Sequence, residues 1–227
     1  MAAPFDEYAT DYTAALERGL LVSGENQHYF AERRVDILAR SLEVLGHRAG
    51  PILDFGCGDG ATTCLLQERL GAEAVGADIA PALVDRAREI RAGSGARFLH
   101  TSALQTDGRF ALVYCNGVFH HIAPQERAAA MARLRDGLRP GGILALWDNN
   151  PWSPAARYVM SRIPFDRDAV MLWPHAGRRL MRANGLRPLR TEYHFVFPRA
   201  LRALRVAEPL LAVLPLGAQF QILARRD

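Results

Sequence analysis

The sequence has no lysine among its 227 residues, so all 28 basic side chains are arginine. That bias accompanies an alanine-rich text and reads as genomic codon usage rather than a guanidinium requirement. Cysteine is scarce too. Cys57, Cys64 and Cys115 are odd in number and lack CxxC spacing, which excludes a disulfide framework and a zinc knuckle and points to reduced thiols. Long apolar runs are missing: the stretch Leu210 to Leu216 is short and interrupted by Pro215, so it cannot span a bilayer. Met1 is followed by Asp6, Glu7 and Asp11 in place of the basic flank and apolar core of a secretory leader. The expectation is a cytoplasmic protein without a membrane span.

What is present is a globular composition, 49% apolar and 23% charged, in a chain long enough for one substantial α/β core. The charge is uneven. Residues 1–150 hold 15 arginines against 19 acids, a net −4, whereas residues 151–227 hold 13 against 5, a net +8. A solvated arginine surface accounts for that basic third, and so does a site for an anionic acceptor or a membrane surface.

Hydrophobic periodicity divides the chain. Phe30, Ile37, Leu38, Leu42 and Leu45 form one helical stripe ended by Gly46. Buried strands at 51–55, 73–78, 96–100, 110–115 and 143–147 then alternate with helices at 61–70, from Pro81, and at 124–138. This alternation predicts an α/β fold: a doubly wound, seven-stranded, mostly parallel sheet in three αβα layers, closed by an antiparallel C-terminal strand from Gln219. One domain is expected over 1–227, with an N-terminal helical lid at 1–48 and a core at 49–150. A Pro- and aromatic-rich substrate insert follows at 151–177. The rest of the sheet occupies 178–227, with a helix at 176–183, a strand at 191–197 and an apolar helix after Pro198.

At the first strand–helix junction stands Asp54-Phe-Gly-Cys-Gly-Asp-Gly, whose glycines let the backbone pass close under a ligand. Gly56-x-Gly58-x-x-Ala61 also fits the dinucleotide fingerprint, so the loop alone leaves a nicotinamide cofactor open. Three further motifs follow in order: GADIA at 76–80, NGVFHHI at 116–122 and LRPGGILALWD at 138–148. With them, the sequence resembles the class I, Rossmann-like methyltransferases dependent on S-adenosylmethionine, over most of its length.

The resemblance implies S-adenosyl-L-methionine as cofactor and S-adenosyl-L-homocysteine as product. It puts Gly56, Cys57 and Gly58 against the methionine part and Asp54 near its ammonium. Asp78, with Ile79 beside it, takes the ribose hydroxyls; Ser102 and Ala103 hold the adenine, and the backbone of Asn116 and Gly117 faces the cofactor. Ser102 departs from the aspartate common there, although a hydroxyl can still bond the adenine amine. The charges agree, because this donor carries an ammonium and a sulfonium and no phosphate: Asp54 attracts it and would repel a pyrophosphate. A nicotinamide oxidoreductase is the weaker alternative, since its Tyr-x-x-x-Lys pair cannot exist without lysine. A non-catalytic cofactor-binding protein that kept the fold is another.

For the acceptor, Asn116-Gly-Val-Phe stands where amino methyltransferases of nucleic acid carry Asn/Asp-Pro-Pro-aromatic, and no nucleic-acid-binding appendage is evident. His120 and His121 follow the fourth strand beside the expected methyl-transfer site. Either imidazole can take the proton of a hydroxyl acceptor, and a packing role at the helix entrance accounts for them as well. No third histidine or carboxylate lies at ligand spacing, so no metal is expected. Tyr8 and Tyr12, four apart, share a helical face from which Tyr12 can cover the sulfonium. Arg34 and His28 can reach substrate, and exposure at the surface is the expectation.

The segments NNPWSPAARYVMSRIPFDRDAV and LPLGAQFQILARR are similar to bacterial methyltransferases of glycan and natural-product gene clusters. That tilts the acceptor toward a sugar-linked, lipid-linked or secondary-metabolite hydroxyl and makes Asn149, Asn150 and Trp152 candidate pocket residues. Peripheral membrane contact is compatible with this reading. C- or N-methylation of a small metabolite, and the oligomeric state, stay open.

Overall fold

The computed structural model describes residues 18–48, 50–166 and 168–227, and its seven strands form one sheet in the order β3-β2-β1-β4-β5-β7-β6. The strands are β1 (Ile52–Phe55), β2 (Ala74–Asp78), β3 (Arg97–His100), β4 (Phe110–Asn116), β5 (Leu138–Asn149), β6 (Leu186–His194) and β7 (Gln219–Arg226). β7 runs antiparallel to β5 and β6, and the pairings among β1 to β5 are parallel. The helices are α1 (Gln27–Val44), α2 (Ala61–Leu70), α3 (Pro81–Ile90), α4 (Arg127–Gly137), α5 (Pro154–Arg162), α6 (Pro174–Ala183) and α7 (Glu208–Leu211). The doubly wound architecture expected from the alternating pattern is present, antiparallel last strand included.

The two-residue period of the strands sorts the core. Ile52, Leu112, Tyr114, Ile143 and Trp147 turn to one face, where Val35, Leu38 and Leu42 of α1 and Leu66 of α2 pack on them. Leu53, Val113, Cys115, Leu144 and Leu146 turn to the other, packed with Met131 and Leu134 of α4 and Met181 of α6. Each large side chain so buried contributes roughly 1.5–3 kcal/mol relative to exposure, and this two-sided burial holds the three layers together. Strand order reverses between β1 and β4, which opens a crevice at their C-terminal ends.

Local boundaries differ from the sequence pattern where proline and glycine were the guide. β5 starts at Leu138, which pairs with Phe110 ahead of an irregularity before Ile143. β6 starts at Leu186 and accommodates Pro188 at a register shift, which an edge strand tolerates. The Pro-rich insert contains α5: the Ser153 hydroxyl accepts from the Ala156 N–H at 3.3 Å, and Pro154 takes the first helical position, where a missing N–H costs nothing. Pro174 opens α6 in the same way. The apolar segment after Pro198 is a run of 3₁₀ turns over Arg199–Ala207 followed by the short α7. Within the span expected as an N-terminal lid, α1 is a core helix, and residues 1–17 lie outside the described residues. No helix among the described residues is long and apolar enough to cross a membrane.

Candidate active site

β1 delivers Asp54, 2% exposed, to the crevice, and the chain then turns through Gly56 at φ +80°. A Cβ on Gly56 would stand 2.2 Å from Val118 Cγ2, so only glycine lets this loop pass the one that follows β4. The N–H groups of Gly56 and Cys57 donate to the Ala77 carbonyl at 2.7 and 3.2 Å, and the Gly58 N–H donates to Asp78 Oδ2 at 2.9 Å. Asp78 Oδ1 accepts from the Ala80 N–H at 2.9 Å. Asp78 therefore fastens the glycine loop to the end of β2 as well as bordering the crevice. Ile79 beside it is 55% exposed, an apolar shelf. The Cys57 thiol turns away and packs with Val84, Ala87 and Phe98, and burial pushes its pKa well up, so Cys57 offers a ligand its backbone alone.

The two crevice carboxylates are electrostatically unsatisfied. Burial raises the pKa of Asp54 to about 7 despite the hydrogen bond from the Thr63 hydroxyl at 2.7 Å; Asp78 adds repulsion and Arg34 offsets part of it. Burial also raises Asp78, against the N–H donors of Ala80, Gly58 and Ile79. Two buried carboxylates in one crevice suit a cationic ligand, which would remove the desolvation penalty on both.

Ser102 and Ala103 lie in an exposed 3₁₀ turn after β3. His100, which no motif singles out, braces this edge. Its Nδ1 accepts from the Ser102 N–H at 3.2 Å, so its Nε2 carries the proton and donates to the Ile79 carbonyl at 3.0 Å. Across the crevice, Asn116 Oδ1 is buried with no partner among the described residues, while the Gly117 N–H is spent on the Trp147 carbonyl at 3.0 Å. An orphaned amide oxygen at a strand end is an acceptor left for a ligand.

Beside Asn116 and Gly117 a cavity of about 360 Å³ opens between the start of α1, α5 and the segment 195–198. Phe30, Val159, Ile163 and Phe195 give it apolar walls, and His120, His121 and Asp166 form a polar corner. His120 Nδ1 lies 2.5 Å from Asp148 Oδ1 and its Nε2 3.6 Å from Asp166 Oδ1, while His121 Nε2 lies 3.2 Å from the same oxygen. Burial opposes charge on His120, but the carboxylates of Asp148 and Asp166 outweigh it and raise its pKa to about 10. The imidazoles hold Asp166 below the usual carboxylate range against its own burial.

Asp166 arrives through the insert. The Val170 N–H donates to the His120 carbonyl at 2.9 Å, and the Arg127 guanidinium bridges the carbonyls of Ile122, at 3.0 Å, and Val170. The expectation that no third metal-type ligand stands near His120 and His121 is thereby corrected: spacing along the chain does not see a carboxylate carried in on a returning loop.

Residues 52–142 match the family model described as a methyltransferase domain. The segment so matched is a methyltransferase domain of the class I kind, whose cofactor is S-adenosylmethionine. The chain is 30% identical over 113 residues to a carboxy-S-adenosyl-L-methionine synthase of Geobacter sp. (strain M21), covering 46% of each chain. It is 36% identical over 122 residues to a demethylmenaquinone methyltransferase of Thermus thermophilus, covering 51% of this chain and 54% of that one. The chain thus spans about half the length of the curated relatives it matches. In fold it is similar to the magnesium protoporphyrin IX methyltransferase of Synechocystis crystallised with S-adenosylhomocysteine, with a TM-score of 0.61 at 20% identity over 92% of this chain and 86% of that one.

The other sequence candidates divide. Asn149 lines the cavity, its Oδ1 accepting from Gln219 Nε2 at 3.2 Å. Arg34, expected at the surface, is instead 7% exposed and lines the cavity, its Nη1 donating to Gln219 Oε1 at 3.1 Å. The signal was present: Phe30, Arg34, Leu38 and Leu42 are four apart, one inward stripe of α1. His28 is exposed beside Glu32, as expected. Asn150, expected in the pocket, is a buried strut: its Nδ2 donates to the carbonyls of Pro215 and Gly217 at 3.0 and 2.7 Å, and its Oδ1 accepts from the Trp152 N–H at 3.1 Å. Trp152 lies outside the cavity, 47% exposed and edge-on to Trp173 at 5.3 Å. Tyr12, with Tyr8, falls outside the described residues.

Proposed function

We propose that this methyltransferase moves the methyl group of S-adenosyl-L-methionine onto a hydroxyl of a small acceptor that is lipid- or sugar-linked. In this reading Asp54 receives the cofactor ammonium and Asp78 the ribose hydroxyls, with Ile79, Ser102 and Ala103 at the nucleoside end and Asn116 at the centre of the crevice. The observation that carries the reading is the cavity beside Asn116 and Gly117, where Phe30, Val159, Ile163 and Phe195 give an apolar wall and His120, His121 and Asp166 a polar corner, with Arg34, Asn149 and Gln219 also on the lining. An acceptor with an apolar body and a polar, hydroxyl-bearing end fits that distribution. The sulfonium is already a good leaving group, so alignment does most of the work: the acceptor oxygen attacks the methyl carbon, the carbon–sulfur pair returns to sulfur, and the hydroxyl proton leaves through the polar corner.

The lipid-linked form of the acceptor draws support from the basic C-terminal third. Leu204, Val206, Leu210 and Val213 are exposed along residues 204–213, close in sequence to Arg199 and Arg202, while Pro198 and Arg205 line the cavity. Apolar side chains interleaved with arginine suit an anionic membrane surface. A second reading, methylation of a lipid quinone, is favoured by the Thermus relative, whose name is demethylmenaquinone methyltransferase.

Incubation with methyl-labelled donor and a panel of isoprenoid alcohols, glycolipids and free sugars tests the reading. The expected product is a methyl ether in the lipid extract; label on a ring carbon alone would overturn the hydroxyl assignment. Within the same assay, Val159→Trp should fill the apolar wall and raise the acceptor KM at least tenfold, about 1.4 kcal/mol, with S-adenosylhomocysteine affinity unchanged within threefold. An unaltered KM in the folded variant would remove the cavity from acceptor binding.

A further inference from the structure

We propose that His120, His121 and Asp166 form a divalent transition-metal site whose open coordination position faces the acceptor cavity. The donor atoms of the three residues lie within 4.8 Å of one another. Two of the separations, 3.2 Å from His121 Nε2 and 3.6 Å from His120 Nε2 to Asp166 Oδ1, bracket the roughly 3.3 Å that separates ligands about 2.0–2.1 Å from one tetrahedral ion. Two imidazoles and one carboxylate are a donor set for zinc, cobalt or manganese, with one or more positions left for water or substrate. All three residues line the cavity, so the open position points where an acceptor hydroxyl would stand.

The surroundings are those of a built metal site. Asp148, 1% exposed, holds the Nδ1 of His120 at 2.5 Å, which leaves Nε2 on the side of Asp166, where a binding ion would displace its proton. A carboxylate behind a ligating imidazole orients it and raises its basicity. Asp148 is itself positioned by the Asn149 N–H, which donates to its Oδ1 at 2.8 Å. Backbone pins fix the insert as well, through Val170 on the His120 carbonyl and Arg127 across Ile122 and Val170. Two buried carboxylates in one corner match a dication in charge.

The chemistry deepens the proposed reaction and rests on it for the use of the ion, though not for its binding. An ion here accepts a lone pair of the acceptor hydroxyl and lowers its pKa. The proton passes to water, the oxygen–methyl bond forms as the sulfur–methyl bond breaks, and sulfur keeps the electron pair. The corner then needs no neutral histidine to act as base.

The test uses the full chain, freed of metal by a chelator and saturated with S-adenosylhomocysteine. Zinc chloride is titrated by calorimetry, and cobalt chloride by the visible d–d bands of a four- or five-coordinate ion. One ion per chain with micromolar or tighter affinity is expected. Asp166→Asn should weaken it at least a hundredfold and Asp148→Asn by about 10–100-fold, with S-adenosylhomocysteine affinity within threefold in both. Binding that Asp166→Asn leaves unchanged would put the ion elsewhere. No binding by protein that holds S-adenosylhomocysteine would show the corner to be a bare ion network. Either outcome overturns the proposal. Metal bound as expected, with no acceptor methylated in the panel, would support the site and remove the proposed acceptor reading.

Discussion

Asp78→Ala is expected to weaken S-adenosylhomocysteine binding about a hundredfold, ~2.7 kcal/mol, because one carboxylate performs two tasks. Toward the ligand it supplies charge-assisted acceptors for ribose hydroxyls, worth about 1.5–3 kcal/mol. Toward the protein it receives the N–H groups of Gly58 and Ala80, both at 2.9 Å, and so fixes the glycine loop against the end of β2. Alanine leaves both donors without that partner and lets the loop drift from the ligand. Asp78→Asn separates the tasks: its remaining oxygen still accepts one N–H, so the loop is half held while the charge is gone, and a loss of about tenfold is expected. Calorimetry on folded variants measures both. Equal affinity in wild type and Asp78→Ala would take Asp78 out of the cofactor site.

The crevice was legible in the sequence because its parts are local. Asp54, Gly56 and Gly58 follow one strand, Asp78 ends the next, and the alternation of apolar runs with helical stripes dictates that these two strands pair; the register sets Asp54 opposite Gly76. His100 needed that register carried one strand further, where it falls opposite Asp78, and no motif spacing contains such information. The acceptor side was harder because its residues meet across long separations. Asp166 reaches His120 only after the insert folds back, and proline-rich text conceals the helix that makes the turn. Asn150 and Trp152 were drawn into the pocket by adjacency to β5, yet a chain leaving a strand alternates its side chains. Asn149 faces the cavity, while Asn150 turns to the segment 215–217. Arg34 misled for another reason: a charged residue on an apolar stripe suggests a surface, whereas here hydrogen bonding to Gln219 lets it be buried.

Affinity for S-adenosylhomocysteine should fall about tenfold per pH unit below pH ~7, a loss of about thirtyfold, ~2 kcal/mol, between pH 8 and 5.5. The cause is Asp54, whose pKa burial raises to about 7 in the ligand-free protein. Asp78 and Asp59 add to that rise, while the Thr63 hydroxyl and Arg34 oppose it. A cofactor ammonium pairs with the ionised carboxylate only, so at lower pH binding must first remove a proton. The sign for stability is opposite. Because the folded pKa lies above the ordinary value, 3.8, Asp54 favours the free fold most when protonated, and that contribution is lost as pH rises from about 4 to about 7. The free protein should therefore lose melting temperature across that window while the gain on adding S-adenosylhomocysteine grows. Asp54→Asn should bind weakly at pH 8, approach wild type at pH 5.5 and show a much shallower slope between them, the remainder coming from Asp78, which burial also raises. A wild-type dissociation constant that stays flat from pH 5.5 to 8, or a slope in Asp54→Asn equal to that of wild type, would show that Asp54 does not meet the ammonium.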